Sequence, residues 1–254
     1  MNSLKNKNVF ISGSDQGIGY ATAHALIDEG CNIALHYHVG GEGARALEAY
    51  AKEKGCRAVV LSADLMKEDE AVSCVNEAAK ALGGLDIVVN NAGGIVARKW
   101  LGELTHEFWQ TVIDLNITSM MYVTQAALPY LKAAKDGASV INLASLAGRC
   151  GGHAGSLVYS TTKGAIITWS RSLAAELGPY GIRVNAVAPG LILGTRFHNV
   201  HTTKESADAT IKTIPLGRAG NSEDVARAIV FLASEYSGFI SGATLDINGG
   251  VYRA

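Results

Sequence analysis

Short apolar runs alternate with stretches of helical periodicity from one end of the chain to the other. The runs predict strands at residues 9–12, 32–37, 58–62, 86–90, 139–143, 183–188 and 244–246. Between them, apolar positions recurring every three or four residues predict helices at 18–29, 43–54, 68–82, 109–132, 159–177 and 222–233. Ile33-Ala34-Leu35 and Ile87-Val88-Val89 are apolar at every position, the pattern of strands covered on both faces. Such alternation predicts right-handed βαβ units. The expected fold is therefore α/β, a Rossmann-type doubly wound parallel sheet of about seven strands with helices on both faces. No linker, repeat or low-complexity tract interrupts the sequence, so residues 1–254 read as one domain. The one long stretch of weak pattern, 191–220, reads as a substrate lid, because a loop of that length in a compact domain is usually functional.

Composition narrows the class of partner. The chain is 48% hydrophobic and 18% charged, with a formal net charge of -1 and no block of like charges. It therefore offers no basic field for nucleic acid or anionic lipid. Cys31, Cys56, Cys74 and Cys150 show no C-x-x-C spacing and no histidines at metal spacing, so they read as free thiols of a reducing compartment, with no metal site. The opening MNSLKNKNVF lacks the apolar core of a signal peptide, and no apolar run approaches the roughly 18 residues of a membrane helix. A cytoplasmic protein acting on a small molecule is expected.

The first chemistry-bearing motif is a glycine turn. The first strand runs into Ser12-Gly13-Ser14-Asp15-Gln16-Gly17-Ile18-Gly19, and a helix follows at once. Gly13 permits a tight turn, while Gly17 and Gly19 let backbone approach a pyrophosphate and let the helix pack on its strand. The phosphates would meet the unpaired N–H groups and positive dipole of the helix N-terminus.

The second motif is Tyr159-x-x-x-Lys163, whose side chains leave one face of a predicted helix a turn apart. A phenol with a pKa near 10 is a poor base at neutral pH. A nearby ammonium favours the phenolate and lowers that pKa. Phenolate then takes a proton from an alcohol, and phenol returns one to a developing alkoxide.

The glycine spacing is G-x-x-x-G-x-G. With Asn90-Asn91-Ala92-Gly93 after the fourth strand, Asn116 in the long middle helix, Ser145 after the fifth strand, Tyr159-x-x-x-Lys163, and Pro189-Gly190 after the sixth, the whole chain resembles the short-chain dehydrogenase/reductase family. The resemblance implies a nicotinamide-dependent oxidoreductase interconverting a secondary alcohol and a ketone. It assigns acid/base chemistry to Tyr159, electrostatic support and a ribose contact to Lys163, substrate orientation to Ser145, and support of a proton-relay water to Asn116. On the cofactor side it implies Gly13, Asp15, Gln16, Gly17, Ile18 and Gly19 in the turn, and His36, Tyr37 and His38 after the second strand. Asp64 and Leu65 fall at the adenine, Asn90, Ala92 and Gly93 along the adenine–ribose crevice, and Pro189, Gly190, Ile192 and Thr195 at the nicotinamide end. The family's threonine usually stands where Gly194 does here, which makes Thr195 a displaced candidate.

The residues after the second strand bear on which dinucleotide binds. An acid there accepts from a ribose 2′-OH, and a base accommodates a 2′-phosphate. This sequence has Tyr37 in the acid's place, with His36 and His38 as phosphate candidates, yet Gln16 where NADP-preferring relatives carry a base. NADP(H) is expected over NAD(H).

Three loops should frame the substrate at the carboxyl ends of the strands: 94–104, 146–158 and 191–220. They offer Ile95, Val96, Trp100, Arg149, His153, Phe197, His198 and His201, and a short polar helix is expected at 204–213. Within the family the sequence is similar to 3-oxoacyl-carrier-protein reductases and to sugar or steroid dehydrogenases. A free ketone and a carrier-bound one both stay open, with Arg98, Lys99, Arg149 and Arg171 as the cations a carrier would use. A catalytically silent dinucleotide sensor is the rival outside the enzymes, although such relatives commonly lose the Tyr or Lys. Enoyl reductases of the superfamily space those two residues more widely. The resemblance also implies a homotetramer, consistent with apolar residues on several faces of the long helices.

Overall fold

A computed structural model describes residues 2–195 and 200–253. Seven strands, all parallel, form one sheet in the order β3-β2-β1-β4-β5-β6-β7. They are β1 (Asn8–Ile11), β2 (Asn32–Tyr37), β3 (Ala58–Ser62), β4 (Ile87–Asn90), β5 (Ala138–Leu143), β6 (Ile182–Pro189) and β7 (Thr244–Ile247). The expected strands are all present; β2 and β3 match at both ends, and no other end is displaced by more than one residue. Winding reverses between β1 and β4, which opens a crevice beyond their carboxyl ends.

The alternation of side chains explains why these strands are apolar throughout. Val9, Ile11, Ile33, Leu35, Ile87 and Val89 enter one core. Their neighbours Phe10, Ala34 and Val88 enter the other. The first core is closed by α1 (Gly17–Asp28), α2 (Glu42–Glu53) and the helix Ser222–Ala233. The second is closed by α3 (Glu68–Leu82), α5 (Ser119–Lys132) and the long helix Leu157–Leu177. Each fully buried aliphatic side chain contributes about 1.5–3 kcal/mol, so both faces are needed to hold the sheet.

The expected single helix over 109–132 is corrected in two ways. It begins earlier, as α4 (His106–Ile113), because the Thr105 hydroxyl accepts from Phe108 N at 3.1 Å and caps it. It is also interrupted. Asp114–Thr118 forms a π-helical turn before α5 resumes. Further α-helices among the described residues are α6 (Ala147–Cys150), α7 (Leu157–Leu177), α8 (Lys204–Ile211) and α9 (Ser222–Ala233).

The stretch 191–220 is pinned at its base. Ile192 pairs with Gly220 in an isolated parallel bridge, Leu193 N donates to Gly220 O at 3.0 Å, and Gly220 N to Leu191 O at 2.9 Å. Phe197 and His198 lie outside the described residues. Among the described residues, no helix is long and apolar enough to cross a membrane, and no three His, Cys, Asp or Glu side chains gather as metal ligands. Cys31, Cys56 and Cys74 are buried free thiols, and Cys150 is an exposed one.

Candidate active site

The glycine turn closes on itself tightly enough to exclude side chains. Gly13 and Gly17 have φ of +67° and +58°. A Cβ on Gly19 would lie 2.2 Å from Gly13 O, so α1 packs against the turn only because that position is bare. Asn91 Nδ2 donates to the carbonyls of Ser12 (2.9 Å) and Gly13 (2.8 Å), while the Ser12 hydroxyl accepts from the amides of Asn91 and Ala92. Asn91 was not among the expected site residues, although it stands inside the Asn-Asn-Ala-Gly motif. At the start of α1 the Gln16 side chain makes no capping hydrogen bond. A bare turn leading into an uncapped helix N-terminus fits the pyrophosphate of a dinucleotide, which would be held by Gly17, Ile18 and Gly19.

His36 is a correction. It is 2% exposed, and Nδ1 accepts from Gly13 N at 3.1 Å while Nε2 lies 3.0 Å from Ala63 O. Nδ1 is therefore the bare nitrogen and Nε2–H donates to the carbonyl. Both nitrogens are engaged in fixing the glycine turn to β2 and to the end of β3, so no phosphate can be served. Burial lowers its pKa to about 4, which keeps the ring neutral. His38 is exposed just beyond β2, and Tyr37 is half-buried, with its ring lying over Gly41.

Two further candidate side chains also make hydrogen bonds within the fold. Asp15 Oδ1 accepts from Ala44 N at 2.9 Å, so this carboxylate is tied to the first turn of α2. Asn90 is 4% exposed and faces inward, not into the crevice. Its Nδ2 donates to Thr124 Oγ1 (3.0 Å) and Asn142 Oδ1 (2.8 Å), and Asn142 Nδ2 donates to Ser170 Oγ (2.9 Å). That buried chain joins β4, β5, α5 and α7. Asp64 Oδ1 accepts from Met66 N at 3.1 Å, and Leu65 is buried beside it. Gly190 N donates to Ile247 O and Pro189 O accepts from Leu146 N, both at 2.9 Å, which fixes the Pro-Gly bend to β7 and to the Ser145 loop. Ile192 is buried, and Thr195 lies 3.5 Å from where a Cβ on Gly17 would stand, closing over the turn.

The four expected catalytic residues come together. Asn116 sits in the π-helical turn, 1% exposed. Its Oδ1 accepts from Gly94 N (3.0 Å), and its Nδ2 donates to Gly94 O (2.9 Å) and Val112 O (2.9 Å). The side chain thus clamps the loop after β4 to the break between α4 and α5. Gly93 has no room for a Cβ, which would stand 2.7 Å from Asn116 Oδ1 and 3.3 Å from Lys163 Nζ. Ser145 follows β5 beside the Tyr159 hydroxyl, and its Oγ accepts from Ala147 N at 3.1 Å. Burial raises the Tyr159 pKa above its ordinary value, and the nearby Ser145 hydroxyl opposes that rise. Lys163 is 3% exposed, its Nζ donating to Leu143 O at 2.7 Å and standing 5.6 Å from the Tyr159 ring centre. Burial lowers its pKa to about 7.

Arg149 was expected as a free cation near the cleft. Instead it grips Asp246 through Nε (3.1 Å) and Nη2 (3.0 Å), tying α6 to β7. Arg98 donates to Ala154 O (3.1 Å) and His201 O (3.4 Å), and Lys99 N to Gly155 O (3.0 Å), which joins the three loops over the site. A groove of about 650 Å³ lies by Lys7, Asp86 and Asp136, at the other ends of the strands, and none of the site residues lines it.

Residues 13–252 match the family model described as "Enoyl-(Acyl carrier protein) reductase". The chain belongs to the short-chain dehydrogenase/reductase family, and it is an oxidoreductase acting on CH–OH donors. It is 34% identical over 247 residues to a 3-oxoacyl-[acyl-carrier-protein] reductase, FabG, of Staphylococcus epidermidis, with 97% of this chain and 99% of that one covered. It is 35% identical over 249 residues to glucose 1-dehydrogenase 2 of Bacillus subtilis, covering 98% and 95%. Among solved structures, an NADH-dependent reductase A1-R′ responsible for alginate metabolism superimposes with a TM-score of 0.91 at 33% identity, with both chains fully covered.

Two outcomes follow from this geometry. Gly19→Ala forces the turn apart, and fluorescence titration should show dinucleotide affinity falling by about tenfold or more, some 1.4 kcal/mol; unchanged affinity would contradict the cradle. For His36, the folded pKa of about 4 lies below the ordinary 6.5. The unfolded chain therefore takes up a proton that the native state refuses. Stability is present above pH 6.5 and is lost as pH falls toward 4, by about 3 kcal/mol. Urea unfolding across that range should show this fall in the wild type and a flatter profile in His36→Gln.

Proposed function

We propose that the protein interconverts a secondary alcohol and a ketone, with Tyr159 moving the proton while a nicotinamide dinucleotide, when bound, exchanges the hydride. The observation that carries this reading is the convergence at the carboxyl end of β5 of Ser145, the Tyr159 hydroxyl beside it, and Lys163, whose Nζ stands 5.6 Å from the Tyr159 ring centre. In reduction, the Tyr159 phenol gives its proton to the oxygen that becomes the alcohol, and Ser145 holds that oxygen in line. In oxidation the phenolate takes the proton back. Burial keeps Tyr159 protonated at neutral pH, so the resting site stands ready as a proton donor. Lys163 in its charged form favours the phenolate, and its place beneath the crevice supports a ribose contact. Asn116 keeps the loop after β4 and the π-helical turn in register, which supports its place beside a proton-relay water.

The substrate is a free small ketone or its alcohol, covered by 191–220. The carrier-protein reading draws on the staphylococcal relatives, but it needs free cations at the cleft mouth. Arg149 is held by Asp246, and Arg98 by loop carbonyls, which takes two of the four expected cations from that reading and leaves it second. Part of the expected NADP(H) preference falls away with His36, whose ring nitrogens are engaged inside the fold. A homotetramer in the cytoplasm is the proposed assembly and setting. Trp100, Leu101, Tyr236 and the fully exposed Phe239 are apolar surface of the kind that subunit contacts cover.

Following NADH and NADPH oxidation against free ketones, keto sugars and a 3-oxoacyl thioester tests the reading. Tyr159→Phe should lower turnover by about 10²–10⁴-fold while dinucleotide affinity stays within about threefold. Substantial activity in that variant would sink the assignment of Tyr159. Thermal stabilisation by a dinucleotide with no turnover on any substrate would instead identify a silent sensor. Sedimentation at micromolar concentration should give four times the mass of one chain, and a monomer would refute the assembly.

A further inference from the structure

The end of β2 carries Tyr37 where a discriminating acid is expected, yet a carboxylate reaches the same loop from the glycine turn. Asp15 Oδ1 accepts from Ala44 N at 2.9 Å, in the first turn of α2. A Cβ on Gly40 would lie 3.1 Å from Asp15 Oδ2, and one on Gly43 would lie 2.0 Å from Asp15 O. The side chain is therefore wedged between the glycine turn and the loop after β2, the two segments that meet a dinucleotide's adenosine ribose in a doubly wound crevice. Gly40 and Gly43 are bare where Asp15 passes, so both segments are shaped around it.

We infer that Asp15 selects NAD(H) over NADP(H), an inference that rests on the dinucleotide oxidoreductase reading above. The N-terminus of α2 is a place where backbone N–H groups and the helix dipole favour an anion. Asp15 supplies that anion from within the chain and takes the Ala44 N–H that a 2′-phosphate would need. A phosphate entering the loop comes up against a fixed negative charge, whereas a ribose hydroxyl meets an acceptor.

The charges around the loop point the same way. Gln16 is neutral, and residues 37–44 hold Glu42 and no lysine or arginine. Arg45 comes next, but its Nη2 donates to Gly40 O at 3.3 Å and its guanidinium stands 5.9 Å above the Tyr37 ring. His36 is neutral, with both ring nitrogens engaged inside the fold. The inferred NAD(H) preference runs against the NADP(H) preference expected from the sequence.

Binding of NADH and NADPH to the full-length protein, by fluorescence titration and thermal shift, tests this without turnover. The wild type should bind NADH at least fivefold more tightly. Asp15→Asn keeps an acceptor for Ala44 N and removes the charge, so it should narrow that ratio at least fivefold, chiefly by tightening NADPH. A smaller preference in the wild type, or a smaller change in the variant, overturns the inference while leaving the oxidoreductase reading intact. Binding of neither dinucleotide by the wild type overturns both.

Discussion

Everything at the proposed reacting centre depends on a lysine buried without a carboxylate. Lys163 is almost wholly enclosed, its Nζ donates to the carbonyl of Leu143, and among the described residues no acid pairs with it. An uncompensated buried ammonium is unfavourable, and its pKa falls in consequence. A carboxylate partner would remove that penalty, but it would also neutralise the field that Tyr159 needs. The structure accepts a lysine poised near neutrality and offers it one carbonyl. Room for it comes from Gly93, where any side chain would press on both Lys163 and Asn116.

The sheet exists, from this viewpoint, to bring separate loops to that lysine. Lys163 meets the last residue of β5, Ser145 stands two residues further on, and Asn116 clamps the loop after β4. None of these positions is set by local sequence. They are set by the parallel register of β4 and β5, which aligns Asn90 with Asn142, and by the buried amide chain that continues from Asn142 to Ser170 on α7. Amides in that interior demand specific partners, so they specify how α7 sits on the sheet more sharply than apolar packing does. The helix that carries Tyr159 and Lys163 is held in place through Ser170, about two turns beyond Lys163 and three beyond Tyr159.

The sequence made some of this legible and not the rest, for physical reasons. Strand–helix alternation and all-apolar strands report burial, so the sheet and its two covered faces were readable, as was the glycine turn. The π-helical turn was not, because i→i+5 bonding over Asp114–Thr118 has no periodicity of its own to read. His36 reads like a surface ligand beside His38, since its partners Gly13 and Ala63 are far away in sequence. Asn90 misleads similarly, because it sits in a motif whose backbone serves the crevice while its own side chain holds the fold. Arg149 looked free only because Asp246 lies 97 residues away.

The two halves of the crevice are therefore specified by opposite means. The dinucleotide side is specified by exclusion: Gly13, Gly17, Gly19 and Gly93 leave backbone exposed where side chains would collide or strain. The substrate side is specified by attachment, through Arg98 and Lys99 to loop carbonyls, through Arg149 to Asp246, and through backbone bonds between Leu191–Leu193 and Gly220. Exclusion tolerates almost no substitution, whereas most of these attachments use backbone atoms and leave the neighbouring side chains free to vary. One cofactor class with many substrates is the behaviour such a division permits, and it is why the reaction is readable from a handful of fixed residues while the substrate is decided in the loops.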